Sequence, residues 1–166
     1  MGTGKTTVGR ALAARTGWPY EDNDLLLQRL TGRSAPDLLA EQGEAALRAG
    51  ERAVLDAVLA LPPSLVAGVA GGVVVDPSDR RRVRDGGHVV WLRARPETLA
   101  RRVGAGAGRP WLGDDPLGVL QSLVAARAPL YAEVATQVLD VDDRTAHELA
   151  EQVLDRLRGQ PFSPAP

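Results

Sequence analysis

The chain is predicted to fold as an α/β domain in three layers, a parallel sheet with helices on both faces. Three observations carry this. Residues Leu65–Val69 and His88–Leu92 are short apolar runs, rich in β-branched residues and bounded by Gly and Pro, the pattern of strands buried on both faces. Helical segments separate such runs, and strands alternating with helices build βαβ units and a parallel sheet. The chain also opens on a glycine-rich stretch, GTGKTT from Gly2, that leads directly into a helical pattern. With 166 residues and 44% hydrophobic content it is long enough for one complete core and too short for two.

The elements follow in order. Lys5–Thr16 reads as a helix with Val8 and Leu12 on one face, and Gly17 stands where a left-handed C-terminal cap belongs. A strand over Trp18–Asp22 follows, then a helix over Asp24–Leu30 stopped by Gly32. The pattern Ser34-x-x-Asp37 opens a further helix as a capping box, and a longer one runs from about Glu44 to Leu61, ended by Pro62 and Pro63. Asp79–Arg84 makes a short basic helix between the two apolar strands. Helix Pro96–Val103, a glycine-rich loop Gly104–Pro116, helix Leu117–Ala128, strand Gln137–Val141 and amphipathic helix Ala146–Arg158 complete the order. A single domain over residues 1–160 and a flexible tail over 161–166 are expected. Trp18 and Trp91 are expected in or beside the core.

Composition narrows the function. A formal net charge of −1 gives no long-range field to recruit nucleic acid or an acidic membrane, so a locally built site for a small molecule is favoured. Without cysteine there are no disulfides, thiolate metal sites or cysteine nucleophiles. No apolar run approaches the roughly 20 residues of a membrane span, and the N-terminus has no signal-peptide core; a cytoplasmic location is expected. The chain has nineteen arginines and one lysine, Lys5, which stands inside G-K-T. In a chain that otherwise uses arginine, that exception points to a position needing a compact ammonium on a thin stem.

GTGKTT matches the second half of a Walker A loop. Backbone N–H groups of Gly2, Thr3, Gly4 and Thr7 at a helix start cradle phosphates, Lys5 reaches the β- and γ-phosphates, and Thr6 offers its hydroxyl to Mg²⁺. The first glycine of the full motif, and the strand before it, would fall ahead of Met1. Asp22 and Asp24 form a D-x-D at a strand end, where alternate residues point the same way. One carboxylate would hold the water shell of Mg²⁺ while the other accepts a hydrogen bond or proton from a substrate hydroxyl. Asp24 serves equally well as a helix N-cap.

Taken together, the order GKTT, DND, GRS at Gly32–Ser34 and GEAALR at Gly43–Arg48 resembles the shikimate kinase family, in which the corresponding text reads like D-T-D, T-G-R-S and G-E-x-x-F-R. Further on, AGGVV at Ala70–Val74 resembles a G-G-G-V-V substrate loop, GRPWL at Gly108–Leu112 resembles the R-P-L-L of a mobile lid, and RAPLYAEVA at Arg127–Ala135 resembles an R-x-x-x-Y-x-x-x-A helix. The match runs in order through nearly the whole chain.

The resemblance implies a P-loop kinase fold with a lid at about 104–116 and substrate-binding helices within about 24–61. It implies ATP- and Mg²⁺-dependent phosphorylation of the shikimate 3-hydroxyl to shikimate 3-phosphate, a step of aromatic amino acid (chorismate) biosynthesis, by a monomer. Position by position it makes Asp24 the residue that contacts the shikimate hydroxyls and activates the attacking one, and Asp22 an outer-shell partner of Mg²⁺. Arg48 and Arg127 would clamp the substrate carboxylate, and Gly71 and Gly72 would bring backbone against its ring. Arg109 in the lid would close on the phosphates, and Arg101 or Arg102, with Arg144, would sandwich the adenine. On residues alone Arg48 pairs as readily with Glu44 or Glu51 on its own helix, and Arg127, just before a proline, could cap helix carbonyls.

Three positions depart from the pattern: Ala70 for the first loop glycine, Leu47 for an aromatic, and Trp111 for a lid leucine. They bear on the acceptor. The rival readings are a kinase of another small hydroxylated acid, such as gluconate, and a catalytically inactive nucleotide-binding relative.

Overall fold

The computed structural model describes residues 2–103 and 113–159. Its elements are α1 (Lys5–Thr16), β1 (Tyr20–Glu21), α2 (Asn23–Thr31), α3 (Ala35–Leu59), β2 (Val66–Ala67), a 3₁₀ turn (Val73–Val75), α4 (Pro77–Asp85), β3 (Val90–Arg93), α5 (Pro96–Val103), α6 (Pro116–Val134), β4 (Gln137–Asp140) and α7 (Ala146–Arg158). Gly17 and Gly32 close α1 and α2 in the left-handed conformation, as their positions predicted. Ser34 caps α3 by accepting a hydrogen bond from the Asp37 N–H, and the two helices expected over 34–61 run as one element with a break at Gly43 (φ 83°, ψ 179°).

Two expectations are corrected here. The helix expected to stop at Ala128 continues through Pro129 to Val134. Proline costs a helix one hydrogen bond and a clash with the preceding turn, but the turn beyond it buries Val134 and packs Leu130 and Tyr131 against Val73, Val74 and Leu55. That burial outweighs the local cost. Trp18 is 37% exposed and lies outside the core, whereas Trp91 is half-buried with its ring 5.6 Å from that of Tyr131.

The strands pair in parallel, as the βαβ order requires, but as two separate pairs: β1 with β2 (Tyr20 opposite Val66) and β3 with β4 (Val90 opposite Gln137). The N–H groups of Val66 and Gly68 are spent on β1, so with a period of two the backbone groups of Leu65, Ala67 and Val69 point to the other side. The carbonyls of Val89 and Arg93 are spent toward β4, which turns Val90, Leu92 and Ala94 the opposite way. All six residues line one cavity. In a full Walker pattern the strand that leads into the phosphate loop takes this inner place.

The helices pack in two groups, α1 on α7 and α4 and α5 on α6, with α2 on α3 beside them. The main core joins α1, β3, α5, α6, β4 and α7 through residues such as Val8, Leu92, Leu99, Leu120, Val141 and Ala150. A smaller cluster of Leu27, Leu38, Leu47 and Val54 holds α2 to α3. No helix among the described residues is long and apolar enough to cross a membrane.

Candidate functional site

A continuous cavity of about 2240 Å³ begins at the slot between the strand pairs and opens where the phosphate loop, the end of β1, α3, the Ala70–Gly72 segment and α6 converge. Gly2 (φ 68°) and Gly4 (φ 87°) carry the loop through the left-handed region into α1, and the Gly4 position supplies no side chain to cap the helix. The first N–H groups of α1 therefore face the cleft without a side-chain acceptor. That is the arrangement that binds phosphate oxygens. Lys5 and Thr6 begin the helix at the same mouth, and Lys5 makes no ion pair among the described residues.

Asp22 organises the next layer. Its Oδ2 accepts hydrogen bonds from Thr6 Oγ1 at 2.8 Å and Tyr20 Oη at 3.1 Å, and its Oδ1 accepts from the N–H groups of Asp24 at 3.0 Å and Leu25 at 3.3 Å. The N-cap of α2 is thus Asp22, not Asp24, because the helix starts one residue earlier than expected and leaves Asp24 inside its first turn. Burial alone would raise the Asp22 pKa, but the hydrogen bonds from Thr6, Leu25, Tyr20 and Asp24 together hold it below the usual carboxylate range. Burial and the neighbouring Asp22 carboxylate push the Tyr20 phenol up to about 12.

The residues fit the Mg²⁺ that the phosphate loop implies. Thr6 hydroxyl and Asp22 carboxylate are adjacent hard oxygen donors beside the loop. Among the described residues no group of three acidic or imidazole side chains could hold an ion alone. Mg²⁺ suits such a site, because it keeps several waters and takes its other ligands from substrate phosphates.

Asp24 lines the same cleft, one residue from a buried amide. Asn23, 6% exposed, donates from Nδ2 to Asp24 Oδ1 at 3.1 Å and accepts at Oδ1 from the Ala70 N–H, also at 3.1 Å. Arg48 does pair along its own helix, donating to Glu51 at 2.6 Å and Glu44 at 2.9 Å, and it still lines the cleft. The pairing therefore holds the guanidinium in place at the cavity wall.

Gly71 and Gly72 are required first by the protein itself. A Cβ on Gly72 would lie 1.7 Å from Arg48 Nη1 and 2.6 Å from Glu51 Oε2, and one on Gly71 would lie 2.7 Å from Tyr131 Oη. Ser64 is the one non-glycine residue with positive φ among those described, so Ala70 carries no left-handed strain. Arg127 lies inside α6 rather than at its end, where it has no terminal carbonyls to cap, and it lines the cleft.

Arg101, Arg102 and Arg144 lie outside the cleft lining. Arg102 donates to the Val141 carbonyl at 2.8 Å and to that of Gly2 at 3.5 Å, Arg144 donates to Gln152 at 2.7 Å, and Arg101 is exposed. Arg109, Trp111 and most of the expected lid fall outside the described residues. Sequence reasoning foresaw the Arg48–Glu51 pairing but gave no role to Asn23 or Tyr131. The signals were present: an amide inside D-N-D and the tyrosine of the α6 motif, whose Oη donates to the Gly71 carbonyl at 3.0 Å.

A parallel α/β frame with a phosphate loop at a helix start, a Thr–Asp pair beside it and a carboxylate and two guanidiniums lining the same cleft fits a P-loop phosphotransferase acting on a hydroxyl. Comparison with known proteins narrows the class. The family model described as shikimate kinase matches residues 1–158. A shikimate kinase of Symbiobacterium thermophilum is 40% identical over 162 residues, covering 95% of this chain and 92% of that protein. One from Caulobacter vibrioides is 42% identical over 160 residues, covering 95% of this chain and 78% of that protein. Among solved structures, shikimate kinase from Acinetobacter baumannii in complex with shikimate superposes with a TM-score of 0.90 at 33% identity, over 95% of this chain and 88% of that one. The enzyme from Aquifex aeolicus superposes with a TM-score of 0.82 at 26% identity, over 96% and 92%. The chain belongs to the shikimate kinase family, whose members are ATP- and Mg²⁺-dependent phosphotransferases.

Proposed function

We propose that this chain transfers the γ-phosphoryl group of ATP to the 3-hydroxyl of shikimate. The observation that carries the proposal is that Asp24, Arg48 and Arg127 line the same cleft as the phosphate loop. Phosphoryl transfer asks for alignment and charge neutralisation more than for covalent help. The loop N–H groups and the Lys5 ammonium hold the phosphates, and Arg48 and Arg127 take the acceptor's carboxylate, for which guanidinium N–H pairs are suited. Asp24 orients the attacking hydroxyl and accepts its proton as the new O–P bond forms and the bond from the γ-phosphorus to the β–γ bridging oxygen breaks, releasing ADP. Thr6 and Asp22 would hold Mg²⁺ beside the loop, and the ion would supply neutralisation of phosphate charge. Arg109 would close over the phosphates from the 104–116 segment, exclude water and suppress hydrolysis of ATP. Arg101 or Arg102, with Arg144, would flank the adenine. The enzyme acts as a cytoplasmic monomer, a single domain over 1–160.

The test is ADP release by the purified protein with MgATP alone, with shikimate and with gluconate, beside an Asp24→Asn variant. Shikimate-dependent release that collapses in the variant is expected. Release driven by gluconate instead, or none from a protein that circular dichroism shows to be folded, would overturn the assignment.

A further inference from the structure

We infer that Asn23 is a positioning residue that ties the Asp24 carboxylate to the acceptor loop Ala70–Gly72. This rests on the reading of Asp24 as the group that orients and deprotonates the acceptor hydroxyl. Asn23 is the first residue of α2, directly after the capping Asp22, so its backbone is held by the helix start. The buried side chain and Asp24, the next residue round the helix, line the same cleft. Both halves of the amide are used. The Ala70 N–H can only be answered by an acceptor, which assigns the carbonyl oxygen of Asn23 to it and leaves Nδ2 for Asp24 Oδ1.

Each contact does separate work. Among the described residues Asn23 is the only side chain hydrogen-bonded to the Asp24 carboxylate, so it restrains the rotamer of that group through Oδ1 and leaves Oδ2 without a side-chain partner. The loop is held at two points, its Ala70 N–H by Asn23 and its Gly71 carbonyl by Tyr131. The distance between the base and the backbone that borders the acceptor is therefore carried through one side chain. The similar family pattern places threonine between the two aspartates, where a single hydroxyl oxygen would serve both directions. In this chain an amide divides the acceptor and donor between two atoms, opposite a loop that begins with alanine rather than glycine.

Steady-state kinetics of Asn23→Asp, Asn23→Ala and Asp24→Asn, with shikimate and MgATP varied in turn, tests this. Asn23→Asp keeps an oxygen for the Ala70 N–H and removes the donor to Asp24. We expect kcat to fall about tenfold to a hundredfold, the scale of a misplaced catalytic group, with the KM for MgATP unchanged. Asn23→Ala removes both contacts, so kcat falls, the KM for shikimate rises and the Ala70 amide exchanges faster with solvent. In an Asp24→Asn background, Asn23→Asp adds no further loss, because it acts through a carboxylate already gone. If kcat and both KM values of the Asn23 variants stay within twofold of the parent while only the Tm falls, the residue is structural and the inference is wrong. If Asp24→Asn itself turns over like the parent, the reading of Asp24 fails first and the inference fails with it; an inactive Asp24→Asn beside fully active Asn23 variants sinks the inference alone.

Discussion

Gly72→Ala is a small change with a large consequence that can be worked from distances. The backbone there (φ −79°, ψ −22°) suits alanine, so strain is not the issue, and the restricted unfolded chain gains about 0.4–1 kcal/mol. The new methyl would stand 1.7 Å from Arg48 Nη1, where ordinary contact begins at 3.4 Å, so the guanidinium must retreat by about 1.7 Å. The Arg48–Glu51 hydrogen bond at 2.6 Å is then lost. A charge-assisted bond contributes about 1.5–3 kcal/mol. With the Arg48 side chain 31% exposed we place it near the lower figure. The net cost is about 1 kcal/mol, a fall in Tm of about 2–4 °C for a domain of this size. Function suffers more, since a displacement of about 1 Å can cost a hundredfold. We expect the KM for shikimate to rise about tenfold to a hundredfold with the KM for MgATP unchanged, read by coupled ADP release. A shikimate KM within twofold of the parent would refute the argument that Gly72 exists to make room for Arg48.

Two further outcomes follow from the geometry. The Asp22 pKa lies below its unfolded value, so the ionised carboxylate adds stability that is complete at neutral pH and is lost as pH falls through the ordinary carboxylate range, about 4, to the lowered folded value. Urea midpoints of the parent and Asp22→Asn should differ at pH 7, and the gap should narrow as pH falls below the ordinary carboxylate range; a gap that widens instead would contradict the sign. Joining an extended segment of about six β-branched residues ahead of Met1 should give the inner edges of β2 and β3 a common partner. The Tm then rises and the amides of Ala67, Val69, Leu92 and Ala94 gain protection from hydrogen exchange, whereas the same segment interrupted by prolines does neither.

Much of the fold was legible in local signals. Gly17, Gly32, Ser34, and the ends of α5 and α7 were placed correctly because caps and breakers act within a few residues. Pro129 misled because its local penalty was overridden by the burial of residues beyond it. The N-cap of α2 was misplaced because two aspartates two residues apart are chemically alike, and only the folded chain shows that the Asp22 carboxylate takes the Asp24 and Leu25 N–H groups while Thr6 and Tyr20 hold its other oxygen.

By itself the amino-acid sequence determined the phosphate loop, the D-N-D carboxylates and the cleft-lining arginines Arg48 and Arg127, because each depends on residue type at short spacing. Tertiary structure alone decided which longer-range contacts those groups make: that Gly72 lies against the Arg48 guanidinium, that Asn23 spans Asp24 and Ala70, that Tyr131 secures Gly71, and that Arg102 and Arg144 turn to other partners. These contacts join residues up to 100 positions apart, and no local periodicity or composition encodes a distance that only the packing of the elements around one cleft creates.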